Sequence, residues 1–215
     1  MFVEEGFYME VKRINSYNDD RFTKKVLNQH GAFLVDGTYP CEFEIINEDT
    51  AIIKYHDLNN IDIIINEFRF YAEHITKFLD MEGNLIKAFH PIKKIWIEIS
   101  EIQPSQFYID SDKVNAINEF INKESDIVIP LIKCDNRYIS LDGHTRLYIA
   151  NKRGFRRVLG FLTTTDNYIY KFVEEAINRG IIQVSNLLLV DHRDYEILWH
   201  KFCDDFFSKL DNKKS

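Results

Sequence analysis

Apolar residues recur at three- and four-residue spacing between Asn60 and Leu79. Ile61, Ile64, Ile65, Phe68, Tyr71, Ala72, Ile75 and Phe78 form a broad stripe there, and the spacing predicts one long helix with Asn60 as its N-cap. The other face carries Asn66, Arg69, Glu73 and Lys77, with Arg69 and Glu73 placed for a weak surface pair. Glu67 and His74 fall on a shared flank of that helix. Upstream, a short helix over 21–29 stops at His30-Gly31. Strands follow at 32–35 and 43–46 around an Asp36-Gly37 turn, and a third at 51–55. These predict an N-terminal β-meander.

Strict alternation of Ile95, Ile97 and Ile99 with Lys94, Trp96 and Glu98 predicts a strand over 92–99, after another at 85–89. Asp110 or Ser111 caps a helix running to Ile121, and 127–132 reads as a buried strand. Asp135-Asn136 turns the chain into a strand over 137–141. A helix over 144–152, closed by Gly154, leads to a strand over 157–162. A helix over 166–178 is closed by Gly180. A β-prone stretch over 181–190 precedes a last helix over 191–210, striped by Tyr195, Leu198, Trp199, Phe202, Phe206 and Leu210. The order predicts an α+β protein in three segments: an N-terminal α/β extension (1–90), a core (91–162) and a mainly helical C-terminal segment (163–215) packed on that core.

Composition narrows the function classes. The chain has 215 residues, 45% hydrophobic and 14% aromatic, with few Gly or Pro, which excludes disordered, collagen-like and low-complexity proteins. Its 27 basic and 34 acidic residues give a net charge of −7, which argues against nonspecific coating of nucleic acid. Cys41, Cys134 and Cys203 are too scattered for a zinc knuckle or a disulfide framework and suit a reducing compartment. Glu4 and Glu5 stand where a secretory signal would be basic, and no apolar run approaches the roughly 18 residues of a membrane span. The expectation is a soluble cytoplasmic protein with no membrane partner.

One stretch gathers chemistry: Leu141-Asp142-Gly143-His144-Thr145-Arg146. A strand ends, a glycine allows a tight bend, and a helix begins with polar donors in its first turn. A helix start has unpaired N–H groups and partial positive charge, which suits a phosphate or carboxylate. Arg146 can add a guanidinium fork, Thr145 a hydroxyl, and His144 a hydrogen bond or a proton. Asp142 suits a magnesium ligand, a base toward a hydroxyl, or simply the helix N-cap. Lys152, Arg153, Arg156 and Arg157 flank Gly154 and read mainly as cations favoured at a helix C-terminus. His192, His200 and Asp191 show no metal-ligand spacing.

These residues resemble the ParB/sulfiredoxin fold. The segment 101–108, a helix, Ile129-Pro130-Leu131-Ile132, a turn, and then Asp142-Gly143-His144-Thr145-Arg146 with Gly154 match its core over residues 92–162. The resemblance implies a nucleotide or phosphate site at Gly143, His144, Thr145 and Arg146, with Asp142, His144 and Arg146 as catalytic candidates. ATP, ADP or CTP with Mg2+ would be the cofactor. The D-G-H-x-R form is nearest to the free-serine-kinase branch, whose upstream glutamate would correspond to Glu98 or Glu101. His144 stands where sulfiredoxins carry their cysteine, so sulfinic acid reduction is not expected. Three readings stay open: a phosphotransferase or nucleotide hydrolase, a non-catalytic interaction protein that keeps the fold and can pair as a homodimer, and a ParB-like DNA-associated module. The acidic total and the lack of a helix-turn-helix unit place the third last.

Overall fold

The computed structural model describes residues 9–57 and 60–211, so the acidic signal at Glu4 and Glu5 lies outside the described residues. Helices and mixed sheets make the protein α+β. The chain divides into two compact units, Met1–Ile92 and Lys93–Ser215. Among the described residues no helix is long and apolar enough to cross a membrane.

The first unit is a six-stranded sheet whose spatial order follows the chain. Strand β1 (Val11–Arg13), helix α1 (Lys24–Asn28), β2 (Ala32–Val35), β3 (Tyr39–Ile45) and β4 (Thr50–Lys54) come first. Helix α2 (Ile61–Tyr71), β5 (Lys77–Leu79) and β6 (Leu85–Ala88) complete it. Strands β1 to β4 pair antiparallel, as a meander should.

The long helix expected over 60–79 is really a helix, a turn and a strand. It stops at Tyr71, Ala72 leaves helical geometry at φ −136°, and Lys77–Leu79 pairs parallel with β4 in the register Ala51↔Phe78. Arg69 explains the stop. Its Nε donates to the Ile75 carbonyl at 3.1 Å and its Nη2 to the Glu73 carbonyl at 3.4 Å, which satisfies acceptors that a continuing helix would have used. The β-branched Ile75-Thr76 pair favours the extended backbone that follows. The apolar stripe survives because Ile75 and Phe78 are buried anyway, from the turn and from β5. Consequently Arg69 binds backbone rather than forming a simple surface pair with Glu73. His74 is buried beyond the helix instead of sharing a flank with Glu67, and Asn60 makes no side-chain cap.

The core of this unit is aromatic. Phe43 on β3 stacks on Phe68 of α2 with ring centroids 4.2 Å apart, while Phe33 and Phe78 meet that pair edge-on. Much of this aromatic mass therefore comes from strands, not from helices alone.

The second unit begins with β7 (Lys94–Glu98), β8 (Ile102–Pro104), β9 (Tyr108–Asp110) and α3 (Ser111–Asn118). Then come β10 (Val128–Cys134), β11 (Arg137–Ser140), α4 (His144–Lys152), β12 (Arg157–Leu162) and α5 (Tyr168–Asn178). Last are β13 (Leu188–Val190), α6 (His192–Tyr195), a π-helical turn over Glu196–His200, and α7 (Lys201–Asp211). A five-stranded sheet has the order β7-β12-β10-β11-β8, and β9 pairs parallel with β13 in a separate two-stranded sheet. Of the β-prone stretch 181–190 only its last three residues are strand; Val184–Asn186 forms a 3-10 turn.

Pro130 sets where the central hairpin ends. Its carbonyl accepts the Leu141 N–H at 3.0 Å, but a proline nitrogen has no hydrogen to return. The ladder with β11 thus begins at Leu131↔Ser140, and the chain leaves the sheet at Leu141-Asp142. The C-terminal stripe packs inside this unit: Phe107 meets Trp199 and Phe202 at 4.9 and 5.0 Å, and Phe172 meets Phe202 and Phe206 at 5.5 and 4.7 Å.

Truncating Phe68 removes a stacked partner and two edge contacts at once. Phe68→Ala is expected to destabilise the first unit by about 3–5 kcal/mol, and Phe68→Leu by clearly less. Urea unfolding of the full chain, followed by near-ultraviolet circular dichroism, checks this; equal midpoints for Phe68→Ala and wild type would contradict it.

Candidate functional site

The turn between β11 and α4 is built around Gly143. Its backbone is left-handed, φ +78°, ψ 19°, and it occupies the N-cap position itself. A Cβ there would lie 2.6 Å from Ile129 Cδ1 and 3.0 Å from Arg146 Nη2. Glycine is therefore required twice, by conformation and by close approach. With glycine at the N-cap no side chain caps the helix. The first intrahelical bond runs from Leu147 N–H to the Gly143 carbonyl at 3.0 Å, so the N–H groups of His144, Thr145 and Arg146 precede the ladder.

Asp142 is not the N-cap that its position before a glycine suggests. Its carboxylate is 73% exposed, and Oδ2 lies 3.8 Å from Arg146 Nη2. Arg146 folds back under the turn, donating from Nη1 to the Val128 carbonyl at 2.9 Å. Desolvation lowers its pKa from the ordinary value, yet a guanidinium keeps its charge. The result is a fixed cation with Nη2 beside Gly143. Thr145 is half-buried in the same helical turn.

His144 faces inward. It is buried, with Nε2 at 3.2 Å from the Ser105 backbone nitrogen and 3.0 Å from Ser140 Oγ. Ser105 Oγ donates to the Ser140 carbonyl at 2.7 Å. Because Nε2 accepts from a backbone N–H, the neutral ring must carry its hydrogen on Nδ1. Burial pushes its pKa down to about 4. The imidazole thus ties the segment after β8, the end of β11 and the start of α4 together. A surface proton donor at this position does not match that geometry.

Within the basic cluster, Arg153 and Arg157 are spent on structure. Arg153 binds Asn118 Oδ1 through Nε at 3.1 Å and also reaches the Ile121 carbonyl. Arg157 lies over the Trp96 ring and pairs with Glu124 at 3.5 Å, and Glu124 also accepts the Arg156 N–H at 3.0 Å.

A second group of side chains meets near the same helix. Asp110 caps α3, its Oδ1 accepting the Asp112 N–H at 2.9 Å, while its Oδ2 sits 2.9 Å from His192 Nδ1. Asp112 completes a trio whose ligand atoms all lie within 4.8 Å of one another. His192 is exposed, and its hydrogen bond to Asp110 raises its pKa. Sequence spacing missed this because Asp110 and His192 meet only through the β9–β13 pairing, in which Val190 stands opposite Asp110. Asp191 instead caps α6 through the Asp194 N–H at 2.8 Å, and His200 pairs with Glu196 at 2.8 Å.

Tyr195 lies beside this second group, with the Lys113 ammonium of α3 over its ring. It is buried, and its hydroxyl accepts a hydrogen bond from Gln106 at 3.2 Å. Desolvation raises its pKa, and the charges of Asp110 and Asp142 both add to the rise. Strand β9 also packs against α4.

No family model matches the chain, and no curated protein matches it. Among solved structures, the crystal structure of protein Atu1540 from Agrobacterium tumefaciens is similar at 18% identity and a TM-score of 0.29, over 42% of this chain and 49% of that one. The chain thus matches about half the length of that protein. A superposition this loose carries no argument about fold or activity, and the site stands on its own geometry.

The buried imidazole makes stability depend on pH in a defined direction. Its folded pKa is about 4, against about 6.5 for an unfolded histidine. Its contribution is complete above the unfolded value and is lost as pH falls from there toward the folded one. Between pH 7 and 5 the loss is on the order of 2 kcal/mol. His144→Gln keeps an acceptor for the Ser105 N–H but cannot titrate, so its urea midpoint should change less over this range than that of wild type. Parallel pH profiles would contradict the assignment.

Proposed function

We propose that the start of α4 binds a nucleotide or another phosphate ester and that the second unit is ParB/sulfiredoxin-like, acting in phosphoryl transfer or nucleotide hydrolysis. One observation carries the reading. A helix start whose N-cap is a glycine, which offers no capping side chain of its own, has the Arg146 guanidinium beside it. Backbone donors and a fixed fork are the two elements a phosphate needs.

Within this reading Gly143 supplies the left-handed bend that starts the helix, and the N–H groups of His144, Thr145 and Arg146 donate to phosphate oxygens. Arg146 balances their charge, and the Thr145 hydroxyl adds a donor. Asp142, exposed at the rim, orients or deprotonates an acceptor hydroxyl. His144 is a positioning residue that holds the turn rigid from below. ATP, ADP or CTP are the candidate nucleotides, and the Mg2+ that travels with their phosphates would supply charge neutralisation.

A second reading is binding without turnover, as in a non-catalytic interaction protein. It draws on the buried, neutral state of His144, which leaves Asp142 as the one acid–base group proposed at the turn.

Calorimetric titration of the full chain with ATP, ADP and CTP, with and without Mg2+, tests the site. At least one nucleotide should bind saturably, and Arg146→Ala should weaken it by about tenfold or more, the value of a charge-assisted hydrogen bond. Arg146→Lys keeps the charge without the fork and should fall between. No binding at millimolar nucleotide, or an unchanged affinity in folded Arg146→Ala, would overturn the proposal. Phosphate release under the same conditions separates turnover from binding alone.

A further inference from the structure

We propose that Asp110, Asp112 and His192 form a binding site for a divalent transition-metal ion, of the Mn2+ or Zn2+ class. The donor set is one imidazole nitrogen and two carboxylates, a combination suited to borderline first-row ions rather than to Ca2+, which prefers oxygen alone.

The geometry has a fixed anchor and two adjustable arms. Asp110 is the anchor: its side chain is only 1% exposed, and the Asp112 N–H holds Oδ1, which leaves Oδ2 directed at the trio. Asp112 and His192 are exposed and can rotate. Ligands about 2.1 Å from a tetrahedral ion stand roughly 3.4 Å apart. The atoms of the trio span from 2.9 Å, between His192 Nδ1 and Asp110 Oδ2, up to at most 4.8 Å. Small side-chain rotations suffice to enclose an ion between them.

An independent argument comes from the buried carboxylate itself. Removing an ionised carboxyl from water is costly unless a cation accompanies it. Among the described residues the ion pair of Asp110 is with His192, and no Lys or Arg pairs with it. The partner is instead an imidazole, itself a metal-ligating group. When an ion enters, His192 Nδ1 gives up its hydrogen to solvent and presents a lone pair, and the ion takes over as counter-charge to Asp110. Glu196, which also acts electrostatically on His192 from the next turn of the helical run, adds negative potential. On α3 the Lys113 ammonium lies over the Tyr195 ring at 4.6 Å. Three protein ligands leave a coordination position open to water or to a bound molecule.

The proposal does not depend on the phosphate reading, because the metal alone is the probe. Full-length protein freed of metal by chelator is titrated with Mn2+, which has little affinity for the three thiols, and the histidine C–H resonances are followed as it is added. One site should saturate, with preferential broadening of the His192 signals at substoichiometric Mn2+. His192→Gln and Asp112→Asn, both exposed substitutions that spare the α3 cap, should each weaken binding by at least about tenfold. Zn2+ titration of the same three proteins by calorimetry should give the same order. Absence of saturable binding at millimolar Mn2+ and Zn2+, or unchanged affinity in both folded variants, would overturn the assignment.

Discussion

The His144 imidazole, buried and neutral, fixes the part of the second unit on which its candidate chemistry depends. A helix starting with a left-handed glycine lacks the side-chain cap that usually holds a first turn in place. Here the restraint comes from inside: Nε2 takes the Ser105 N–H, and Ser105 Oγ in turn holds the Ser140 carbonyl. One ring therefore ties the segment after β8 and the end of β11 to the start of α4, where the N-cap is a glycine with no side chain to cap it. A polar side chain does this better than an apolar one, because the buried Ser105 donor would otherwise lack an acceptor.

The same economy of polar groups runs through the rest of the unit. Arg146 crosses beneath the turn to the Val128 carbonyl, just before Pro130 ends the hairpin ladder. Arg137 reaches the Ile102 and Ile182 carbonyls, and Gln103 reaches the Ile181 carbonyl, so the loop after α5 is stitched to β8. The side chains of Arg137, Arg146 and Arg153 thus act as fixed donors to backbone. That is how a protein of net charge −7 can still hold a guanidinium beside a helix start.

Much of the second unit was legible locally. The alternation around Ile97, the Asp135-Asn136 hairpin, the helix from His144 to Lys152 and Gly154 beyond its end all follow from patterns a few residues long. The 60–79 stripe was not legible, because Ile75 and Phe78 satisfy helical spacing and are buried for a different reason: a turn held by Arg69 and a parallel partner in β4. In the candidate site, the residue types of 142–146 were visible but their orientations were not. An aspartate before a glycine looks like a cap, and only the tertiary position of Ile129 and Arg146 shows that glycine takes that place. The Asp110–His192 meeting was invisible for the same reason, since it needs β9 and β13 to pair across some eighty residues of sequence.

Tyr195 shows the same internal use of polar groups beside the trio. Its hydroxyl is withdrawn from water and accepts a hydrogen bond from Gln106, whose Nε2 also donates to the Tyr108 carbonyl on β9. The Lys113 ammonium of α3 lies over its ring. Buried Tyr195 thus ties α6 to β9 and α3, the elements that carry Asp110 and Asp112. The π-helical turn directly after Tyr195 matters here. It spans Glu196–His200, between Tyr195 and the aromatic run of α7, and Trp199 within it meets Phe107 at 4.9 Å.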